Sequence, residues 1–238
     1  LVLRRAGITE PILVLGPSPP RDVNVAAEND VALTVFQKEW VDEAIKLWDG
    51  SSVMKFHINF DSGMGRIGIR ERKELKEFLK SLEGAPFLEL EGVYTHFATA
   101  DEVETSYFDK QYNTFLEQLS WLKEFGVDPK FVHTANSAAT LRFQGITFNA
   151  VRIGIAMYGL SPSVEIRPFL PFELEPALSL HTKVAHIKQV IKGDGISYNV
   201  TYRTKTEEWI ATVAIGYADG WLRRLQGFEV LINGKRVP

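Results

Sequence analysis

Short apolar runs alternate with longer amphipathic runs along the first three quarters of the chain. Runs of roughly four to eight apolar or alternating residues are typical of strands. They predict six strands, at residues 12–16, 31–36, 55–60, 90–97, 130–135 and 149–154. Three amphipathic runs between them place apolar side chains at helical spacing, at residues 38–48, 70–82 and 106–125. This alternation predicts parallel strands with crossover helices, in an open doubly wound sheet or a closed (β/α)8 barrel.

The pattern changes near residue 172. From there the chain consists of strand-like pieces separated by turn signals, such as the Asn233-Gly234 pair that is typical of a hairpin. We therefore predict an α/β barrel domain over residues 1–171 and an all-β domain over residues 172–238. Six strands instead of eight, and a last hairpin with only a few returning residues, predict that both domains are represented in part.

Composition excludes several classes of protein. The chain has 238 residues, 45% of them hydrophobic, so it can bury a sizeable core. Its net charge of −3 offers no basic surface for nucleic acid, and the lack of cysteine excludes disulfides and thiolate metal sites. No apolar run reaches membrane-spanning length, and no signal layout is present. We expect a cytoplasmic protein with no nucleic-acid partner, membrane partner or metal.

Polar side chains follow four of the predicted strands. In parallel α/β folds the functional face lies at the carboxyl ends of the strands, so these residues are predicted to share one rim. In chain order they are Asp61 and Arg66, then His96, Thr99 and Asp101, then His133, Asn136 and Ser137, and finally Arg152 and Gly154.

Two of these segments are candidate anion sites. Asn136 or Ser137 is predicted to cap a helix, whose first N–H groups then face the rim. Gly154 lets the backbone approach a ligand on the neighbouring strand. Each feature also has an ordinary structural explanation, because a strand histidine is more often a hydrogen-bonded core residue and glycines serve ordinary turns. The clustering of these features on one rim is what favours a binding site.

Six collinear segments resemble alanine racemase, a bacterial pyridoxal 5′-phosphate enzyme. They are INFDSGMGRIGI, GVYTHFATADE, VHTANSAATLRF, VRIGIAMYGLSPS, SYNVTY and AIGYADGWLRRL. The resemblance implies a cofactor-carrying eight-stranded barrel followed by a β domain. It also implies a homodimer in which each active site borrows residues from the partner. The implied reaction interconverts L-alanine and D-alanine through a cofactor aldimine with two bases, and supplies D-alanine for peptidoglycan.

The resemblance assigns the cofactor to the rim. Ser137, Gly154 and Ile155 would hold its phosphate, with Asn136 and His133 close by. Arg152 would face the pyridine nitrogen. A guanidinium only donates hydrogen bonds and stays protonated, so it would leave that nitrogen unprotonated and suppress side reactions.

One base is implied to be the partner subunit's Tyr198. A free phenol has a pKa of about 10, so nearby positive charge must lower it. A hydrogen-bonded row from Tyr198 through His96 and Arg152 to His133 would supply that charge. Tyr217 would line the substrate entrance, with Asp101 further out.

Arg66 would contact the phenolic oxygen of the cofactor and the substrate carboxylate, which suits a planar fork of donors. Many relatives have a lysine, often carbamylated, where this chain has Asn59. A chloride beside Asn59 is our hypothesis for the missing negative charge. The family's Schiff-base lysine, the second base, has no counterpart here, because Lys55 stands at the amino end of its strand.

Three alternatives stay open from the sequence. A decarboxylase of the same barrel class would place an acidic residue against the ring nitrogen, and Arg152 disfavours it. A non-catalytic pyridoxal-phosphate homeostasis protein is usually a lone barrel, and the β domain with Tyr198 disfavours that. A serine or metal hydrolase is a distant third, because the rim lacks clustered carboxylate and histidine ligands.

Overall fold

The computed structural model describes residues 1–50 and 52–238, which form two compact units, Leu1–Ala177 and Leu178–Pro238. The first unit alternates helices and strands. In chain order they are α1 (Val2–Arg5), β1 (Ile12–Pro17), α2 (Val23–Glu28), β2 (Val31–Val35), α3 (Lys38–Leu47), β3 (Met54–Asn59), α4 (Arg72–Leu82), β4 (Leu88–Tyr94), α5 (Ser106–Glu124), β5 (Phe131–His133) and α6 (Ser137–Arg142).

The five strands form one parallel sheet in the order β1-β2-β3-β4-β5. Sequence order equals spatial order, and helices connect the strands, as a barrel requires. The amphipathic runs predicted as helices are confirmed as α3, α4 and α5, with ends shifted by at most two residues.

The prediction of a sixth strand at residues 149–154 is wrong. This segment follows β5 but makes only one bridge, between Ala150 and His133. Two further backbone hydrogen bonds, Asn149 N to Val132 O at 3.3 Å and Arg152 N to Ala135 O at 2.9 Å, hold it alongside. β5 has only three residues before the chain turns toward α6, so the edge that it offers to this segment is short.

The central strand β3 has one apolar face and one polar face. Phe56 and Ile58 are fully buried on the helix-covered face, where the Phe56 ring contacts Phe78 of α4 edge to face at 6.1 Å. The intervening His57 and Asn59 are buried as well, although both are polar. Successive strand residues point to opposite faces, so β3 places an apolar row against the helices and a polar row on the opposite face.

The second unit is all β. Its strands are β6 (Val184–Val190), β7 (Gly195–Ile196), β8 (Tyr202–Arg203), β9 (Glu208–Val213), β10 (Val230–Ile232) and β11 (Lys235–Val237). They pair antiparallel as β6-β9, β7-β8 and β10-β11. Asn233 and Gly234 both have positive φ, 48° and 77°, and the hairpin predicted around them is confirmed. Throughout the described part of both units, each helix is too short or too polar to cross a bilayer.

Candidate active site

The polar face of the sheet opens onto a cavity of about 880 Å³ in the first unit. Eight of the residues predicted for the site line it, namely His96, Asp101, His133, Asn136, Ser137, Arg152, Gly154 and Ile155. The carboxyl ends of β4 and β5 and the segment after β5 therefore meet at one place, as the parallel topology requires.

Arg152 links the polar groups of this cavity through the hydrogen bonds of its guanidinium. Its Nη1 donates to His133 Nδ1 at 2.6 Å and to His133 O at 3.1 Å. Its Nη2 donates to Thr95 O at 2.7 Å and Thr134 O at 3.0 Å, and lies 3.3 Å from His96 Nδ1. In the described part of the chain its buried Nε has no hydrogen-bond partner. One donor of the guanidinium is thus left for a ligand.

Burial keeps the imidazoles around Arg152 neutral. Desolvation, helped by the charges of Arg152 and Arg66, lowers the pKa of His96 to about 4. Desolvation together with Arg152 and His57 lowers the pKa of His133 to about 2. Burial also lowers the pKa of Arg152, to about 10, which leaves the guanidinium protonated at neutral pH. The positive charge in this row therefore resides on the arginine.

Tyr94, at the end of β4, supports the row from one side. Its ring stacks on His133 with centroids 4.8 Å apart, and the guanidinium of Arg152 lies 5.0 Å from the ring centroid. Its hydroxyl bonds to Thr34 Oγ1 and to Leu15 O, each at 3.0 Å. The aromatic face favours a cation at this place and limits its movement.

Two backbone amides converge on the side chain of Ser137. Gly154 N donates to Ser137 Oγ at 2.9 Å and Ala156 N does so at 3.4 Å. Asn136 caps α6, accepting a hydrogen bond from Ala139 N at 3.0 Å. A Cβ on Gly154 would meet only Ser137 Oγ, at 3.9 Å, so the space in front of this glycine is open. The two N–H groups converge on Ser137 Oγ beside this open space, and an anion that takes over from the hydroxyl as acceptor would suit them.

The glycine-rich turn that carries Arg66 is organised by Asp61. This buried carboxylate accepts hydrogen bonds from Gly63 N at 3.0 Å and Gly65 N at 2.9 Å. Gly68 has a φ of +123°, and a Cβ there would come within 2.5 Å of Asn59 Oδ1. Arg66 itself is exposed, and its charge lowers the pKa of His96. The turn thus holds a cation near the cavity, with its guanidinium in solvent.

Tyr198, Tyr217, Asp101 and Lys55 were also singled out from the sequence. Tyr198 and Tyr217 belong to the second unit, where each begins a short 3-10 turn and is exposed, by 83% and 68%. Asp101 lines the cavity, and its carbonyl accepts a hydrogen bond from Ser163 Oγ at 2.6 Å. Lys55, at the amino end of β3, forms an ion pair with Asp30 at 2.8 Å.

Profiles of protein families match both units. Residues 1–162 match the alanine racemase N-terminal domain, and residues 177–238 match the alanine racemase C-terminal domain. The chain belongs to the alanine racemase family.

Individual relatives and solved structures are similar to this chain. Alanine racemase of Geobacillus kaustophilus is 53% identical over all 238 residues. A crystal structure of alanine racemase from Bacillus anthracis with bound L-Ala-P is 97% identical, with a TM-score of 0.94 over the whole chain. A histidine racemase from Leuconostoc mesenteroides is 31% identical, with a TM-score of 0.83 over 96% of the chain. The chain spans 61% of the length of each of these three proteins.

Three residues of this candidate site were not predicted from sequence, namely His57, Glu91 and Tyr94. His57 Nδ1 lies 2.9 Å from His133 Nε2, and His57 Nε2 lies 3.3 Å from Glu91 Oε2. The alternation of β3 carried a usable signal, because His57 and Asn59 share the face opposite to Phe56 and Ile58. Glu91 and Tyr94 had no comparable signal, since a strand position alone does not reveal which side chain it meets.

Proposed function

We propose that this chain supplies much of the cofactor barrel, and part of the second domain, of an enzyme that racemises alanine with pyridoxal 5′-phosphate. The observation that carries the proposal is the buried, unpartnered Nε of Arg152 in the same cavity as the Ser137–Gly154 cradle. A buried donor without an acceptor is costly, so a ligand that brings an acceptor satisfies it.

The residues fit that cofactor at both ends. The amides of Gly154 and Ala156, with Ser137 Oγ, would hold its phosphate, while Ile155 lines the same wall. Arg152 Nε would donate to its pyridine nitrogen. Asn136 and His133 would support this arrangement, Asn136 by capping α6 and His133 by holding Nη1. Once bound, pyridoxal phosphate supplies the electron sink that acidifies the α-hydrogen of the amino acid.

Arg152 would keep the pyridine nitrogen unprotonated. A guanidinium offers only N–H donors, and its pKa of about 10 keeps it charged at neutral pH. The ring nitrogen facing it must then accept, so it carries no hydrogen. This supports a racemase over a decarboxylase of the same class, for which we expect an acidic partner at this nitrogen.

We assign one proton-transferring group to the partner subunit's Tyr198. Because the guanidinium only donates, His96 Nδ1 accepts from it and the hydrogen of His96 resides on Nε2. That N–H would donate to the phenolic oxygen of Tyr198 and stabilise the phenolate. The positive charges of Arg152 and Arg66 on this rim would likewise favour the phenolate over the neutral phenol. His96 would thus stabilise the phenolate as a hydrogen-bond donor while its own ring stays neutral.

A homodimer with shared sites follows from assigning Tyr198 to the partner, and complementation tests it. Arg66→Ala and Tyr198→Phe change exposed residues on different units, so both variants should fold. Mixed dimers would hold one intact site each, and random mixing should restore about a quarter of the wild-type activity. If each site used Arg66 and Tyr198 of the same protomer, mixing would restore none.

An anion beside Asn59 completes the proposal for Arg66. Asn59 is buried at the end of β3, against the backbone of Gly68 in the Arg66 turn. A chloride there would provide the negative charge that a carbamylated lysine gives in many relatives. Crystals soaked in bromide should show an anomalous peak beside Asn59. Ordinary water density without such a peak would reject the chloride.

Catalysis is tested with the complete protein. We expect it to convert L-alanine to D-alanine, detected with D-amino-acid oxidase, and Tyr198→Phe to abolish most of this activity. Tyr202→Phe is the matched control, because Tyr202 is a neighbouring tyrosine whose hydroxyl donates to Glu208 at 2.6 Å. Assaying L-histidine in parallel shows whether the enzyme acts on alanine or on histidine, the two amino acids in the names of the relatives. Failure to racemise alanine with cofactor bound would reject the proposal.

The cellular role is proposed to be cytoplasmic supply of D-alanine for peptidoglycan. The complete protein should restore growth of a D-alanine auxotroph without added D-alanine. Fractionation of the host should recover the protein with the cytoplasm. An active enzyme that fails to rescue growth would contradict this role.

A further inference from the structure

A row of polar side chains continues from Arg152 away from the cofactor cradle. Arg152 Nη1 lies 2.6 Å from His133 Nδ1, and His133 Nε2 lies 2.9 Å from His57 Nδ1. His57 Nε2 then lies 3.3 Å from Glu91 Oε2. His57 and His133 are buried, with 5% and 3% exposure, and the Glu91 side chain is 13% exposed. The row thus joins a cation to a carboxylate through two shielded imidazoles.

The donors and acceptors fix every hydrogen in this row. Arg152 can only donate, so His133 Nδ1 accepts, and the neutral ring carries its hydrogen on Nε2. His133 Nε2 then donates to His57 Nδ1, which leaves the hydrogen of His57 on Nε2. Glu91, ionised, can only accept from it. Both ends of the row therefore select the same pair of tautomers.

Space for this arrangement depends on Gly92. A Cβ at this position would overlap the imidazole of His57 at Cε1 and approach its Nδ1 to 2.5 Å. Glu91 precedes that glycine, and its second oxygen lies 3.7 Å from the Nζ of the exposed Lys130. Gly92, next to Glu91 on the same strand, thus leaves room for the imidazole of His57.

We propose that Glu91 is a positioning residue, whose carboxylate accepts the hydrogen of His57 and thereby keeps His133 Nδ1 free to hold Arg152. Arg152 favours one pair of tautomers, but without Glu91 that pair would leave the Nε2 hydrogen of His57 buried with no acceptor. His57 could then carry its hydrogen on Nδ1 and donate toward His133. His133 would then carry its hydrogen on Nδ1, facing the guanidinium donor. Arg152 would lose its 2.6 Å partner and its fixed orientation toward the cradle. The tautomer pattern stands on the contacts alone, whereas its catalytic consequence rests on the proposed function.

The test is nitrogen NMR of the complete, cofactor-loaded protein labelled with 15N-histidine. In the wild type, His57 and His133 should both be neutral with the hydrogen on Nε2. Glu91→Leu should give mixed tautomers at both rings, whereas Glu91→Gln, which keeps an acceptor oxygen, should retain the wild-type pattern. Glu89→Leu is the control, because Glu89 is an exposed carboxylate on the same strand.

A hydrogen on Nδ1 of either ring in the wild type would overturn the inference, and this result needs no variant to fold. Unchanged tautomers in Glu91→Leu, or mixed tautomers in Glu91→Gln, would also overturn it. For racemisation we expect Glu91→Leu to lower kcat about tenfold, the factor of one lost charge-assisted hydrogen bond, and Glu91→Gln to stay within about twofold. The predicted tautomers without any racemisation would reject the proposed function and leave this inference standing.

Discussion

Replacing Arg152 by lysine separates the shape of the guanidinium from its charge. The arginine serves five acceptors, which are His133 Nδ1, His133 O, Thr95 O, His96 Nδ1 and Thr134 O. An ammonium retains the positive charge but has only three N–H donors, all on one atom. With one acceptor for each ammonium hydrogen, two of the five acceptors lose their donor in Arg152→Lys.

The expected loss of stability follows from that difference. A buried polar group left without a partner costs about 1–3 kcal/mol, so two of them cost about 2–6 kcal/mol. This is a large fraction of the roughly 5–15 kcal/mol that stabilises an ordinary folded protein. Removing the unpartnered Nε offsets one of these two losses, so Arg152→Lys should lower the free energy of unfolding by about 1–3 kcal/mol. It should also weaken binding of pyridoxal phosphate, because the Nε donor is lost.

Urea denaturation of the cofactor-free protein, followed by far-ultraviolet circular dichroism, measures this loss. Arg142→Lys is the matched control. Arg142 Nη1 alone serves two carbonyls, Ala100 O at 2.6 Å and Glu102 O at 2.5 Å, which one ammonium can also do. We expect the control to lose less than about 1 kcal/mol. An Arg152→Lys protein as stable as the control would refute the dependence of stability on these five acceptors.

Three further predictions follow from the same geometry. His96 has a pKa of about 4 in the folded protein against an ordinary 6.5, so the unfolded state binds more protons between these values. Stability should fall as pH drops through this window, by at most about 1.4 kcal/mol per pH unit for this proton, and His96→Gln should flatten that slope in denaturation series at several pH values. Gly154→Ala should fold normally, because its Cβ meets only Ser137 Oγ at 3.9 Å. Absorbance titration should show at least about tenfold weaker binding of pyridoxal phosphate, because the added methyl group fills the proposed phosphate cradle. Gly68→Ala should destabilise the protein by about 2–4 kcal/mol in urea, because φ is +123° and the Cβ would press on Asn59; a loss below about 1 kcal/mol would contradict the packing of this turn.

The positions of the site residues could be predicted because parallel strands end at one edge. His96, His133 and Arg152 are far apart in sequence, but each follows or ends a predicted parallel strand, which predicts that they share one rim. The structure brings them into one hydrogen-bonded cluster. The segment 149–154 contributes to that rim without being the strand that its apolar pattern predicted. It makes a single bridge to β5, which is only three residues long, and the extent of pairing depends on both segments.

Features that depend on the meeting of two strand faces could not be predicted. The contact between His57 and His133 depends on how β3, β4 and β5 align, and the register of β3 against β4 shifts between Phe56 and His57. Similarly, the family resemblance implied a hydrogen-bonded row that supplies positive charge to Tyr198. The low pKa values of His96 and His133 place the charge on arginine, because burial disfavours charged imidazoles. Burial is set by the whole fold, so residue type alone does not give it.

The most direct test of the central claim is a crystal structure of the complete protein with pyridoxal 5′-phosphate bound. We predict that Arg152 Nε donates to the pyridine nitrogen, while the phosphate lies against the amides of Gly154 and Ala156 beside Ser137. A ring nitrogen that faces a carboxylate, or a phosphate bound away from Gly154, would contradict the account.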